Sequence, residues 1–221
     1  MLRTASRLVL LVIVICVSGP CPGESRAAQS ATEALIGAAR SGDLAQVQRL
    51  LHTGVDPNRR GSGRATALSE ASAYGHIGVV EALVRAGADI DMPGTDRTPP
   101  LVAASANLHF PTLRYLVSEG AKLNPHDKYG MTALHYAAKH GELRAVVLLL
   151  DAGASPNPAA LGGETPLFEA ASKDHYEIVS ELLAHGADVS TRNSHGVSPL
   201  EEARSFGHTD VVRLLRKAAT R

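Results

Sequence analysis

The chain has 221 residues, with 22 basic and 22 acidic side chains, 44% apolar and 20% charged. These fractions sit near globular averages and exclude wholesale disorder and a multi-span membrane protein. The cancelled charge also removes the basic footprint of a nucleic-acid binder, and with 4% aromatics and no Trp the core must be aliphatic.

Taken in chain order, the first feature is an address. Arg3 and Arg7 precede an unbroken apolar run from Leu8 to Val17, and Gly, Pro and Ser then lead to Ala27 and Ala28. A positive start, a short apolar stretch and small residues at a cut predict a secretory signal peptide over residues 1–27, with Ser25 and Ala27 at the −3 and −1 positions. The run of ten falls short of the roughly 20 residues that span a bilayer. Cys16 and Cys21 both precede the cut, so the mature protein is expected to use neither a disulfide nor a thiol nucleophile. Cleavage leaves 19 basic and 21 acidic groups, a charge near −2, and a short lead over residues 28–32. The expected location is the periplasm or the secreted space, with no membrane association after cleavage. No Asn-x-Ser/Thr sequon is present, which leans towards the periplasm.

From there a repeat takes over. Gly54, Gly87, Gly120, Gly153 and Gly186 are spaced by 33 residues without a slip. Twelve residues after most of them stands Thr66, Thr132, Thr165 or Ser198, opening a triplet closed by Leu68, Leu134, Leu167 or Leu200. The third unit carries Pro99-Pro100-Leu101 in those slots. Counted from Glu33, the units are 33–65, 66–98, 99–131, 132–164, 165–197 and a short last one, 198–221.

Each unit predicts two helices. The second has apolar residues ten, seven, four and three before the glycine: Leu44, Val47, Leu50 and Leu51 in the first unit, then Ile77, Phe110, Leu143 and Tyr176 leading the equivalent sets. Those offsets place four side chains on one helical face. A shorter helix precedes it, marked by Ala38-Ala39, Ala71-Ser72, Ala104-Ser105, Ala137-Ala138 and Ala170-Ala171, small pairs that allow close helix approach. The periodic glycine supplies the left-handed residue that ends the second helix. Between the helices stand Gly42, Gly75, Gly141 and Gly207, but Leu108 and Asp174 in units three and five. Leu adopts the left-handed conformation poorly, so unit three is expected to bend differently.

These residues resemble the ankyrin-repeat family. Its Thr-Pro-Leu-His-x-Ala-Ala signature is matched best by Thr132-Ala133-Leu134-His135-Tyr136-Ala137-Ala138 and Thr165-Pro166-Leu167-Phe168-Glu169-Ala170-Ala171. The resemblance covers residues 33–221 and implies an all-α ankyrin-repeat solenoid of about six helix-turn-helix units with β-hairpin loops. It also implies that partner proteins bind the concave face, and that the His135 ring hydrogen-bonds between units. The last unit places Thr209 and Arg216 in two of four core slots, and the first has Glu33 in the Thr slot, so both ends read as caps.

Catalytic chemistry finds no residues. His135 and His140 are five apart rather than three or four, no His-Glu-x-x-His, phosphate loop or nucleophile elbow occurs, and His76 and His208 are repeat equivalents. No enzyme activity, metal or cofactor is expected. Instead, first-helix positions that stacking leaves free vary from unit to unit, and with the hairpin tips they give the expected partner-binding set. That set is Tyr74, Asn107, Lys128, Tyr129, Lys139, His140, Lys173 and Phe206. Exposed rings are the usual centres of protein interfaces, although Tyr74 and Phe206 could equally cover their neighbours. The function expected is an exported, non-catalytic module holding one or more client proteins. The alternatives are a small-molecule or haem carrier using His and Tyr on that face, and, in biological role, a stress-defence or toxin-neutralising immunity protein.

Overall fold

In the computed structural model residues 22–220 are described; most of the expected signal peptide lies outside them. Helices come in pairs: α1 (Pro22–Ser41) and α2 (Leu44–His52), α3 (Ala67–Ala73) and α4 (Ile77–Arg85), α5 (Pro100–Ala106) and α6 (Phe110–Ser118). The series continues with α7 (Ala133–His140) and α8 (Leu143–Asp151), α9 (Pro166–Ser172) and α10 (Tyr176–Ala184), α11 (Pro199–Ser205) and α12 (Thr209–Ala219). First helices pack on first helices and second helices on second. Ala39, Ala71, Ala104, Ala137, Ala170 and Ala203 are fully buried in the first layer, where the second layer packs Val and Leu. Smaller side chains allow closer approach, so the stack curves with the first helices on its concave side.

Local chemistry sets the ends of each pair. Thr66, Thr165 and Ser198 accept the N–H of Ser69, Phe168 and Glu201 at 3.2–3.3 Å, capping the first helices. Pro99 replaces the cap in unit three, followed by Pro100 at the first helical position. At the far end of α2, Gly54 has φ +85°, and Val55 N–H returns to the Leu50 carbonyl at 3.2 Å. The other four periodic glycines repeat φ at +83° to +95°. Glu33 does not open a helix: α1 begins at Pro22, runs through the expected lead, and sends the Glu33 carboxylate to the first hairpin instead.

Two expectations are corrected in packing. The slots seven and four before the glycine are buried, as in Val80 and Leu83 or Val146 and Leu149. The slot ten before it is not: Leu44 and Leu143 are exposed, and Tyr176 is 43% exposed. These residues open their helices, and helical side chains lean towards the N-terminus, which carries the first ones over the rim. Phe110, in the same slot, is half-buried beneath the Arg144 guanidinium, 4.4 Å from its centroid. The slot eight before the glycine is buried instead, holding Val79, Thr112, Ala145 and Ile178. The hairpins, too, contain no strand among the described residues, only a His126–Thr132 bridge. Pro57, Pro93, Pro125 and Pro158 in their short legs remove the donors a ladder needs.

Between units, histidines act as staples. The rings of His76, His109, His175 and His208 each place Nε2 3.0–3.2 Å from a carbonyl of the preceding unit's first helix: Arg40, Ala73, Lys139 and Ser172. A carbonyl only accepts, so Nε2 carries the proton and satisfies a helix-end acceptor that would otherwise lack a partner. The ring needs space. A Cβ on Gly42 would lie 2.6 Å from the His76 ring, one on Gly141 2.7 Å from His175, and one on Gly75 closer still to His109.

The two exceptions follow the same rule. Leu108 has no staple to meet, because Glu142 replaces the next histidine, and the two share a small crevice. Asp174 faces His208 with Oδ1 3.7 Å from Nδ1. Leu108 adopts φ +64° and its turn bonds match those of Gly75, so unit three does not bend differently. The His109 N–H reaches the Ala104 carbonyl at 2.9 Å as His76 N–H reaches Ala71 at 3.0 Å. The strain of about 1–2 kcal/mol is outweighed by burial of about 1.5–3 kcal/mol per core Val or Leu.

Gly75→Ala is therefore expected to destabilise by several kcal/mol, combining backbone strain with overpacking against His109, whereas Gly207→Ala, with open space around it, should cost about 1 kcal/mol. Adding His109→Ala to Gly75→Ala should recover the difference in urea unfolding; equal losses at the two glycines would refute the ring-clearance account. Thr112 is fully buried and its hydroxyl has no hydrogen-bond partner. Thr112→Val should raise stability by about 1 kcal/mol in the same measurement, and a loss would show the hydroxyl to be satisfied.

Candidate protein-binding face

The hairpin tips share an equivalent N–H to carbonyl bond, again 33 residues apart: Gly61 to Ala65, Gly94 to Thr98, Asp127 to Met131, Ala160 to Glu164 and Asn193 to Val197, at 2.9–3.1 Å. A side-chain ladder ties their bases. Asn58, Asp91, Asn124 and Asn157 accept the backbone N–H of Asp89, Lys122, Ser155 and Asp188 at 2.6–2.9 Å. The tips are also joined to each other. Arg60 donates to the Pro93 carbonyl, Lys128 Nζ lies 2.9 Å from Asp96, and Leu161 N–H donates to Tyr129 O at 2.9 Å. Ser194 N–H then donates to Gly162 O at 2.8 Å. The tips therefore form one ridge beside the first-helix layer.

Between ridge and helices in units two to four lies a groove of about 280 Å³, lined by Glu70, Ala106, Asn107, Lys128, Tyr129 and Tyr136 among others. Of the expected residues, Asn107, Lys128 and Tyr129 come together here. Lys128 sits 5.0 Å over the Tyr129 ring, and Tyr129 is 57% exposed. Tyr74, Asn107, Lys173 and Phe206 are each the residue capping a first helix, and His140 ends α7 at the equivalent place. They form one exposed row. Tyr74 (53% exposed) stacks on His76 and Phe206 (62% exposed) on His208. Each ring thus covers a staple and still presents surface. Lys139 is half-buried, its Nζ 3.9 Å from Glu169, an echo of the tighter Arg40–Glu70 pair at 3.0 Å.

Sequence reasoning passed over the row one helical turn earlier. Its occupants are Gly37, Glu70, Ala103, Tyr136, Glu169 and Glu202, and their variation between units was the available signal. Tyr136 stacks on His140 at 6.3 Å and donates to Asp127 at 2.6 Å. Burial first, then that bond, drives its hydroxyl pKa far up. Asp127 also accepts the Tyr129 and Met131 N–H at 2.8 and 3.0 Å, fixing the third tip. Glu169 is largely buried, which raises its pKa, while Lys139 opposes the shift. Glu201 is held down at about 2 by the Ser198 N–H and hydroxyl and by Arg192.

His135, next to Tyr136 in α7, is fully buried. Its Nε2–H donates to the Glu164 carbonyl at the far end of its own unit at 3.1 Å, and Nδ1 accepts from the Thr132 N–H and hydroxyl at 3.1 and 2.9 Å. The bond implied by the family signature therefore closes unit four on itself, from its first helix to its last residue, rather than joining two units. Burial lowers the ring's pKa, and a proton on Nδ1 would face the Thr132 donors. Among the described residues, no group of three or more His, Cys, Asp or Glu could hold a metal ion, and no helix is long and apolar enough to cross a membrane.

Family models of ankyrin repeats match residues 35–84, 86–160 and 157–220. The chain belongs to the ankyrin-repeat family, whose fold is a scaffold for binding other proteins. It is similar to an ankyrin repeat domain from Acinetobacter baumannii, with 30% identity and a TM-score of 0.77, covering 84% of this chain and 97% of that one. It is similar too to a chain in the Bdellovibrio bacteriovorus complex of a predatory endopeptidase with an immunity protein, with 26% identity, a TM-score of 0.75 and the same coverage. The search of curated proteins gave no significant match.

His135 predicts an acid dependence. Its folded pKa lies below the unfolded value near 6.5, so the unfolded state binds the extra proton and stability falls as pH drops through that value. The thermal midpoint should decline between pH 7.5 and 5, and His135→Gln should flatten part of that slope; an unchanged slope would remove His135 from the cause.

Proposed function

We propose that the protein is an exported, non-catalytic module that holds one client protein across its concave face and hairpin tips. The observation that carries this reading is the division of residues between stacking and exposure. The slots that bind unit to unit repeat from one unit to the next, whereas Tyr74, Asn107, His140, Lys173 and Phe206 differ at equivalent, exposed positions on one face. Rings at such positions supply contact area with little loss of rotamer freedom. Export rests on the pattern of residues 1–27, and the periplasm is the compartment proposed.

The Bdellovibrio likeness favours a particular role. A chain of similar fold occurs in a complex of a predatory endopeptidase with an immunity protein, and the client proposed here is a harmful exported protein that this chain neutralises by covering it. The carrier alternative draws no comparable support. The histidines nearest the exposed rings, His76 and His208, already commit Nε2 to backbone carbonyls.

Replacing Tyr74, Tyr129, His140 and Lys173 together by Ala should abolish retention of the protein that the wild type captures from its native compartment. The thermal midpoint should move by no more than a few degrees. Undiminished capture by the folded variant would contradict the assignment of this face.

A further inference from the structure

The ridge of tips changes character along the stack. Its first two members expose Arg59, Arg64 and Arg97, whose side chains make no ion pair or hydrogen bond among the described residues, while Asp96 beside them is engaged by Lys128 at 2.9 Å. Arg64 and Arg97 hold φ at +67° and +62°. The same slot in the other three tips is Gly130, Gly163 and Gly196, at φ +76° to +80°. Glycine serves this turn without strain, and a side chain there costs about 1–2 kcal/mol. The turn itself therefore gives no reason for two arginines.

The next two tips present large apolar side chains, and the charge of Lys128 in the third is paired with Asp96. Tyr129 is 57% exposed and Leu161 78%, the most exposed large hydrophobic among the described residues. No charged residue lies between Asp151 and Glu164. The Leu161 N–H to Tyr129 carbonyl bond fixes these two tips side by side. Isolated exposed apolar residues are ordinary, but an adjoining Tyr and Leu on a rigid ridge form a small docking spot.

We propose that the ridge reads a two-part surface on the client: a cluster of carboxylates against Arg59, Arg64 and Arg97, and an apolar side chain against Tyr129 and Leu161. The inference rests on the client-binding reading and names the chemistry of that client. Packed helices lie 8–10 Å apart, so the two parts, about two units apart along the ridge, are separated by roughly 20 Å. An extended segment of about six residues spans that distance. A nucleic acid fits less well, because a polyanion calls for free cations along the whole ridge, and here Lys128 is paired with Asp96 and Arg192 with Glu201.

The test is photo-cross-linking in the full chain in its native cells, with benzoylphenylalanine replacing Arg97, Leu161 or, as a reference on the helical face, Lys173. The proposal expects positions 97 and 161 to capture the same protein, the residues captured at 97 being rich in Asp and Glu. Arg59→Glu with Arg64→Glu should cut the yield at 161 at least tenfold with the thermal midpoint unchanged. Capture at 173 but not at 97 and 161, a basic segment or nucleic acid at 97, or an unaltered yield in the charge-reversed chain would overturn the two-part surface while leaving the client reading standing. Capture at none of the three would overturn both.

Discussion

The carbonyl groups that end a first helix must find donors, and in four of the six units the donor comes from the next unit. Four histidines supply them, and each requires that the residue closing the turn before it leave room for an imidazole. The turn residue of one unit and the staple of the next are therefore a single choice. Gly42 goes with His76, Gly75 with His109 and Gly141 with His175. Leu108 goes with Glu142, and Asp174 with His208 through a carboxylate beside the ring. Function inherits this constraint. Tyr74, His140 and Lys173, each next to a turn, follow directly on a carbonyl that the staple of the next unit holds, at Ala73, Lys139 and Ser172.

The hairpins are fixed from the other side. Asn and Asp side chains link their bases unit to unit, and backbone or ionic bonds link their tips. A ridge tied at both levels loses little freedom on binding, which spares the entropy that loops ordered by a partner must give up. Pre-organisation matters here because the face has few rings. Two of them, Tyr74 and Phe206, also shield staples, so binding and stacking meet at those positions rather than being fully separate.

The period, the two-helix unit and the turn glycines were legible because helical geometry and left-handed backbone leave spacing marks that one sequence displays. The inner row of Leu and Val was legible for the same reason. The first residue of each second helix misled, since Leu44, Leu143 and Tyr176 satisfy the apolar pattern yet lean over the rim. The true third row was hidden by Thr112 in one unit and Gln46 in another. His109 and His175 stand in the same 33-residue series as His76 and His208 and could have been found by following it to the end. Leu108 could not have been read as harmless from its own residue type, because its tolerance depends on Glu142 in the next unit. Of the face, the row at the turns was legible from its variation, while Tyr136 and Leu161 emerged only when folding set them beside Asp127 and Tyr129.

The central claim is that one set of residues builds the stack while the first-helix ends and tips meet the client. Hydrogen–deuterium exchange of the full chain, free and saturated with the captured client, tests this most directly. The account predicts new protection at residues 94–98, 127–131 and 160–164 and at the ends of α3, α5, α7 and α9, with the outward faces of α4, α6, α8 and α10 unchanged. Protection concentrated on those second helices, with the tips exchanging as freely as before, would contradict it.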